Sequence, residues 1–121
     1  MRFPITFDHW FSLLSRPILL DPEGAFVDVG AETIEVRMGW AFRVAIPRSA
    51  VRSAAPLERR PLSRGVHGWN GRWLVNGSGE GLLGLTLEPT QCAYVMGVPV
   101  RLRELWVSVQ DPRAVAEQIK A

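Results

Sequence analysis

A chain of 121 residues, 47% apolar and 21% charged, carries enough material for one domain with one core and is neither disordered nor a membrane bundle. No apolar run approaches the ~20 residues of a membrane-spanning helix, and a lone cysteine, Cys92, excludes an internal disulfide and suits a reducing, cytoplasmic setting. The net charge of +2 hides an uneven spread: residues 41–72 hold seven arginines against Glu58 alone, whereas residues 1–40 hold three arginines against six acids.

The chain opens with MRFPITFDHWFSLLSRP, which is partly apolar but interrupted by Asp8 and His9, with no small-residue cleavage site behind it. Asp8 can cap a short helix through Trp10, Phe11, Leu13 and Leu14 that Pro17 would end, while FPITF reads equally as a strand. Residues 1–24 are therefore an N-terminal extension with two alternative structures. From there the period is two. AFVDV, residues 25–29, is a strand turned by Gly30; Ile34, Val36 and Met38 alternate with Glu35 and Arg37. After Gly39, Trp40, Phe42, Val44 and Ile46 alternate with Arg43 facing outward, which predicts a hairpin and a core position for Trp40. Pro47 has no N–H to donate, and the parity flips beyond it: a bulge or turn there would point Val51 inward and put Arg48 and Arg52 on the other face. Residues 54–65, AAPLERRPLSRG, lack an apolar period and read as a long loop.

Residues 79–84, GEGLLG, fit the spacing G-x-G-x-x-G of a dinucleotide-binding turn. That motif needs a helix to start within it, and an acidic residue about 20 positions on. Gly84 and Pro89 leave no room for the helix, and the chain near position 99 reads GVPVRLR. The glycines are better explained by turns and strands. Asn70-Gly71 is a hairpin signal flanked by Trp69 and Trp73, which are expected to pair across it; RWLVN, residues 72–76, is a strand; Asn76 to Gly79 is a second turn. Leu83, Leu85 and Leu87 alternate until Pro89, QCAYVM forms a further strand, and Gly97 and Pro99 interrupt. Leu105, Val107 and Val109 form the last strand after a parity change near Arg103 and Glu104, which leaves Trp106 out of phase and outward. Asp111-Pro112 then gives an N-cap and a proline at the first helical position, opening a short helix over 112–121 with Val115 and Ile119 on its buried face.

These elements predict a single α+β, mainly β domain over 1–121: a bent antiparallel sheet or partly open barrel of about seven strands, its open end plugged by the C-terminal helix. The run ETIEVRMGWAFRVAIPRSAVRSA and the ending ELWVSVQDPRAVAEQIKA, residues 32–54 and 104–121, resemble the bacterial PH-like domains. The resemblance implies a bent barrel closed by the C-terminal helix. Lipid-binding PH domains use a basic loop between their first two strands; the corresponding place here, Gly30-Ala31-Glu32, is short and acidic, so that role does not carry over.

No catalytic set is legible. His9 and His67 stand far apart without metal-spaced partners, Cys92 sits in an apolar strand and reads as a core residue rather than a nucleophile, and Ser78 lacks a nucleophile elbow. The expectation is a non-enzymatic protein without cofactor or metal: an interaction or scaffold module that joins another protein or a second copy through an exposed strand edge or the face around Trp106. The alternatives are an anion-binding module that meets an acidic membrane surface or nucleic acid through Arg48, Arg52, Arg59, Arg60 and Arg64, and a carrier of a small apolar ligand.

Overall fold

Alternating apolar residues produce the first hairpins. The structure, a computed structural model, describes residues 1–5, 24–39, 41–57, 65–69, 71–76 and 81–120. Strand β1 covers Arg2–Pro4, β2 Ala25–Val29, β3 Thr33–Met38 and β4 Phe42–Pro47. Each pairs antiparallel with the next, and Ile34, Val36, Met38, Phe42, Val44 and Ile46 are buried on the shared inner face. A 3-10 turn at Arg48–Ala50 follows, then β5 (Val51–Leu57), β6 (Gly65–Trp69), β7 (Arg72–Asn76), β8 (Leu82–Val95), β9 (Val98–Ser108) and helix α1 (Pro112–Lys120). The strands form one sheet in the order β1-β2-β3-β4-β8-β9-β7-β6, with β5 branching from β8. The sheet curls into a half-barrel, so the mainly β architecture with one C-terminal helix is as expected. An isolated bridge between Ile5 and Val109 brings the β1 edge to the end of β9 and closes one corner of the curl.

Several boundaries differ from the sequence reading, each for a physical reason. Pro89 does not end a strand: β8 runs through it, and the ladder to β9 is suspended between Thr86 and Gln91, where a residue without an N–H costs no pairing. The same irregularity lets β8 change partner, from β5 over Leu82–Leu87 to β4 over Tyr94–Val95. Met96 and Gly97 make a two-residue hairpin turn, and Pro99 lies inside β9 at an exposed position. Residues 54–57, read as loop, extend β5 and pair with Leu82–Leu85. The sheet is not wholly antiparallel, because β7 runs parallel to β9 from Arg72↔Glu104 to Val75↔Val107. Register puts Trp73 opposite Gly68 and Trp69 opposite Arg72, so the two tryptophans are not cross-strand partners. The bare Gly68 backbone is what admits the Trp73 ring, since a side chain there would overlap it. The parity change near Arg103 is present: both Arg103 and Glu104 donate their N–H to the Gly71 carbonyl, after which Leu105, Val107 and Val109 face inward. The proposed N-terminal helix, Trp40 and residues 77–80 lie outside the described residues.

Inside the curl, Val27, Val36, Phe42, Leu83, Leu85, Leu102 and Leu105 fill the interior with other buried side chains, and Val115, Ala116 and Ile119 of α1 join the same cluster. Asp111 caps α1: its Oδ1 accepts the Ala114 N–H at 3.2 Å and its carbonyl accepts the Val115 N–H at 3.1 Å. Losing this exposed cap is expected to cost ~1 kcal/mol. Truncating Ile119, buried in the final turn, should cost about 2 kcal/mol, the lower end of the range for a buried isoleucine. Urea titrations that rank Asp111→Ala above Ile119→Ala would show that the helix is not part of the core.

Candidate outer-face site

Of the arginines singled out in the sequence, Arg48 and Arg52 are held in different ways. Arg48 sits in the 3-10 turn rather than on the strand that carries Arg52. Its Nε donates to the Gly30 carbonyl at 2.8 Å, and Nη1 and Nη2 donate to the carbonyls of Ile119 and Gln118 at 2.7 and 2.9 Å. It therefore ties the β2–β3 turn to the C-terminal end of α1, where a cation is favoured by the helix dipole and the unpaired carbonyls. Arg52 is exposed and pairs with Glu88 across the β5–β8 ladder at 3.1 Å. A groove of about 380 Å³ between β5 and the end of α1 brings Arg48, Ser49, Arg52, Ser53 and Lys120 together. Arg59, Arg60 and Arg64 lie outside the described residues.

Trp106 points outward, as its phase requires, but is half-buried and held in place. Its indole Nε1 donates to Glu104 Oε1 at 2.7 Å, the other carboxylate oxygen accepts from Arg72 Nε at 3.1 Å, and the Arg72 guanidinium lies over the indole at 5.2 Å. Gly84, opposite Trp106 in the ladder, leaves a flat place that Leu57 occupies.

A second constellation, which the sequence reading missed, lies on the outer face where β3, β4 and β8 meet. Arg37 and Arg43 are directly opposite each other in the β3–β4 ladder, and Arg43 is opposite Tyr94 in the short β4–β8 ladder. The Arg43 guanidinium stacks over the Tyr94 ring at 4.8 Å, an arrangement that holds the cation in place and leaves its edge available. Arg37 is 3.4 Å from Glu35, and no carboxylate pairs with Arg43 among the described residues. Together with Ala45 and Cys92, these residues line an open cleft of about 350 Å³; Cys92, expected in the core, is exposed because its register opposite Arg101 turns it to the outer face. Beside it the β8–β9 turn exposes Met96 at 59% and Val98 at 60%, far more than their apolar side chains need for folding. Period-two alternation around Gly39 could have placed Arg37 and Arg43 together, because that hairpin is local. Tyr94 and Cys92 arrive through a pairing some fifty residues away, for which the sequence carries no signal.

Among the described residues, no group of three or more His, Cys, Asp and Glu side chains gathers as a metal site, and no helix is long and apolar enough to cross a membrane. Gly81 is a bend and Leu82–Gly84 begin β8, so the part of the glycine motif within the described residues starts a strand, not a helix. Compared with family models, curated proteins and solved structures, the chain matches none.

Proposed function

We propose that this protein is a non-catalytic interaction module that holds an acidic partner on the outer face of its curled sheet. The observation that carries this reading is Arg43, fixed on Tyr94 without a carboxylate partner among the described residues, at the mouth of an open cleft and near the exposed Met96 of the β8–β9 turn. Interfaces combine such features: an aromatic and an arginine as anchors, apolar contact area next to them, and a rim charge that steers the partner. The PH-like likeness is compatible with such a role, and the single cysteine suits the cytoplasm. The interior of the curl is filled by side chains, so a small apolar cargo draws no support from it.

The second reading, anion binding through Arg48 and Arg52, is favoured by the groove that joins them to Ser49, Ser53 and Lys120. Retention on immobilised poly-L-glutamate separates the two. Arg43→Glu should weaken retention about tenfold, whereas Arg52→Glu should change it little. Loss on Arg52→Glu with Arg43→Glu unaffected would transfer the site to the groove.

A further inference from the structure

The β4–β8 junction is an interrupted one. These strands are neighbours in the sheet, yet they pair only at Phe42↔Val95 and Arg43↔Tyr94. Further along, β8 has turned to β5, with which it pairs over Leu82–Leu87. Between the two ladders, the edge of β4 after Arg43 and the edge of β8 before Tyr94 face each other without pairing. The outer-face cleft opens at this gap, with Val44, Ala45 and Cys92 among its lining residues.

We infer that the gap takes an extended acidic peptide from a protein partner, laid along the edge of β4 that, beyond Arg43, is paired with no strand among the described residues. This deepens the reading above and rests on it. A strand edge without a partner is a template for another extended chain, whose main-chain groups supply affinity and whose alternate side chains supply specificity. The side chains around the edge specify acid. Arg37 and Arg43 stand opposite each other, a juxtaposition of like charges that disfavours itself, and among the described residues only Glu35 answers it, from the Arg37 side. Successive side chains of an extended peptide point to opposite faces, so alternate residues would lie on the outer face and the one nearest Arg43 would meet this arginine pair. Ala45 is small and outward, which leaves room above the floor of the cleft. Tyr94 and the exposed Met96 of the following turn supply apolar surface beyond Arg43 and suit apolar residues flanking the acids.

Cys92 makes the inference testable on the intact chain, because it is the single cysteine, is exposed and lines the cleft. The probe is a fluorescein-labelled short peptide of alternating Glu and Val; its counterparts carry Lys for Glu, or Pro for Val to remove main-chain donors. Binding is read by anisotropy, and occupancy by the rate at which Cys92 reacts with a maleimide. The Glu–Val peptide should bind at least about tenfold more tightly than either counterpart and slow Cys92 labelling. Arg43→Gln and, separately, Ala45→Trp, which fills the cleft from an exposed position, should each weaken it by about tenfold with the circular dichroism spectrum unchanged. Equal binding of the Glu–Pro peptide, or binding without Cys92 protection, overturns the strand-addition inference. If polyglutamate retention still depends on Arg43 in that case, the broader docking role survives. Loss of both removes both. Arg43-dependent binding confined to duplex DNA or to phosphatidylserine-containing vesicles would likewise overturn the peptide.

Discussion

Replacing Gly81 by alanine is expected to destabilise the fold by about 2–5 kcal/mol. Two separate costs add. Gly81 has φ +68, a left-handed conformation that charges an L-residue about 1–2 kcal/mol. A Cβ there would also lie 2.3 Å from the carbonyl oxygen of Val109, a backbone atom that cannot rotate away. Relieving that overlap should take about 1–3 kcal/mol more. The close approach is itself structural: the Val109 N–H donates to the Gly81 carbonyl at 2.9 Å, locking the entrance of β8 to the end of β9 just before the helix begins. Gly97 is the internal control. Its φ is +81, yet nothing lies within 4 Å of the place a Cβ would take, so Gly97→Ala should cost only the conformational ~1–2 kcal/mol. The unfolded-state gain of a Gly→Ala change, ~0.4–1 kcal/mol, is common to both and drops out of the comparison. Urea unfolding followed by tryptophan fluorescence should place Gly81→Ala well below Gly97→Ala. Equal losses would mean that the strand entrance can shift away from Val109.

The fate of this glycine shows where sequence reasoning reaches and where it stops. The expectation that residues 79–84 form turn and strand rather than a helix-opening dinucleotide turn came from local chemistry, Gly84 and the nearby Pro89, and Gly81 to Gly84 do lead into β8. That Gly81 is a crossing point depends on Val109, twenty-eight residues on, and no local pattern announces it. The same division holds elsewhere. The β3–β4 and β6–β7 hairpins and the Asp111 cap involve neighbours in the chain, so alternation and turn residues located them. The parallel β7–β9 ladder joins residues 72–75 to 104–107, and Pro89 could pass for a strand end because a suspended ladder looks like no ladder in one dimension. The outer-face cleft was half legible. Alternation places Arg37 and Arg43 outward, but the denser arginines that follow outweigh them in one dimension, where density along the chain is the visible quantity. Tyr94, which gives Arg43 its fixed position, is contributed by a strand whose partner change at residues 87–91 leaves no mark on the sequence.

Arg48 and Arg52, four residues apart and alike in the sequence, should behave oppositely when removed. Arg48→Ala is expected to cost about 3 kcal/mol, because it strips charged hydrogen bonds from three carbonyls, two of them at a helix end whose other partners are few. Arg52→Ala should cost less than about 1 kcal/mol: its ion partner is Glu88, and the two side chains are 63% and 67% exposed, where solvent screens the pair. Salt should distinguish them as well. Raising ionic strength should erase the small Arg52 contribution and leave most of that of Arg48, which acts at short range through oriented hydrogen bonds. Arg48→Lys should recover only part of the loss, because an ammonium is a compact charge and cannot present the planar fork that spans Gly30 and the last turn of α1 together. Hydrogen exchange of the Gln118, Ile119 and Lys120 amides gives a local readout. Faster exchange there in Arg48→Ala, with the amides of β4 unchanged, would identify Arg48 as the clasp between the helix and the β2–β3 turn. Arg52→Ala matching it in both stability and exchange would instead make the two arginines parts of one charged patch and restore the groove as the place to look for an anion.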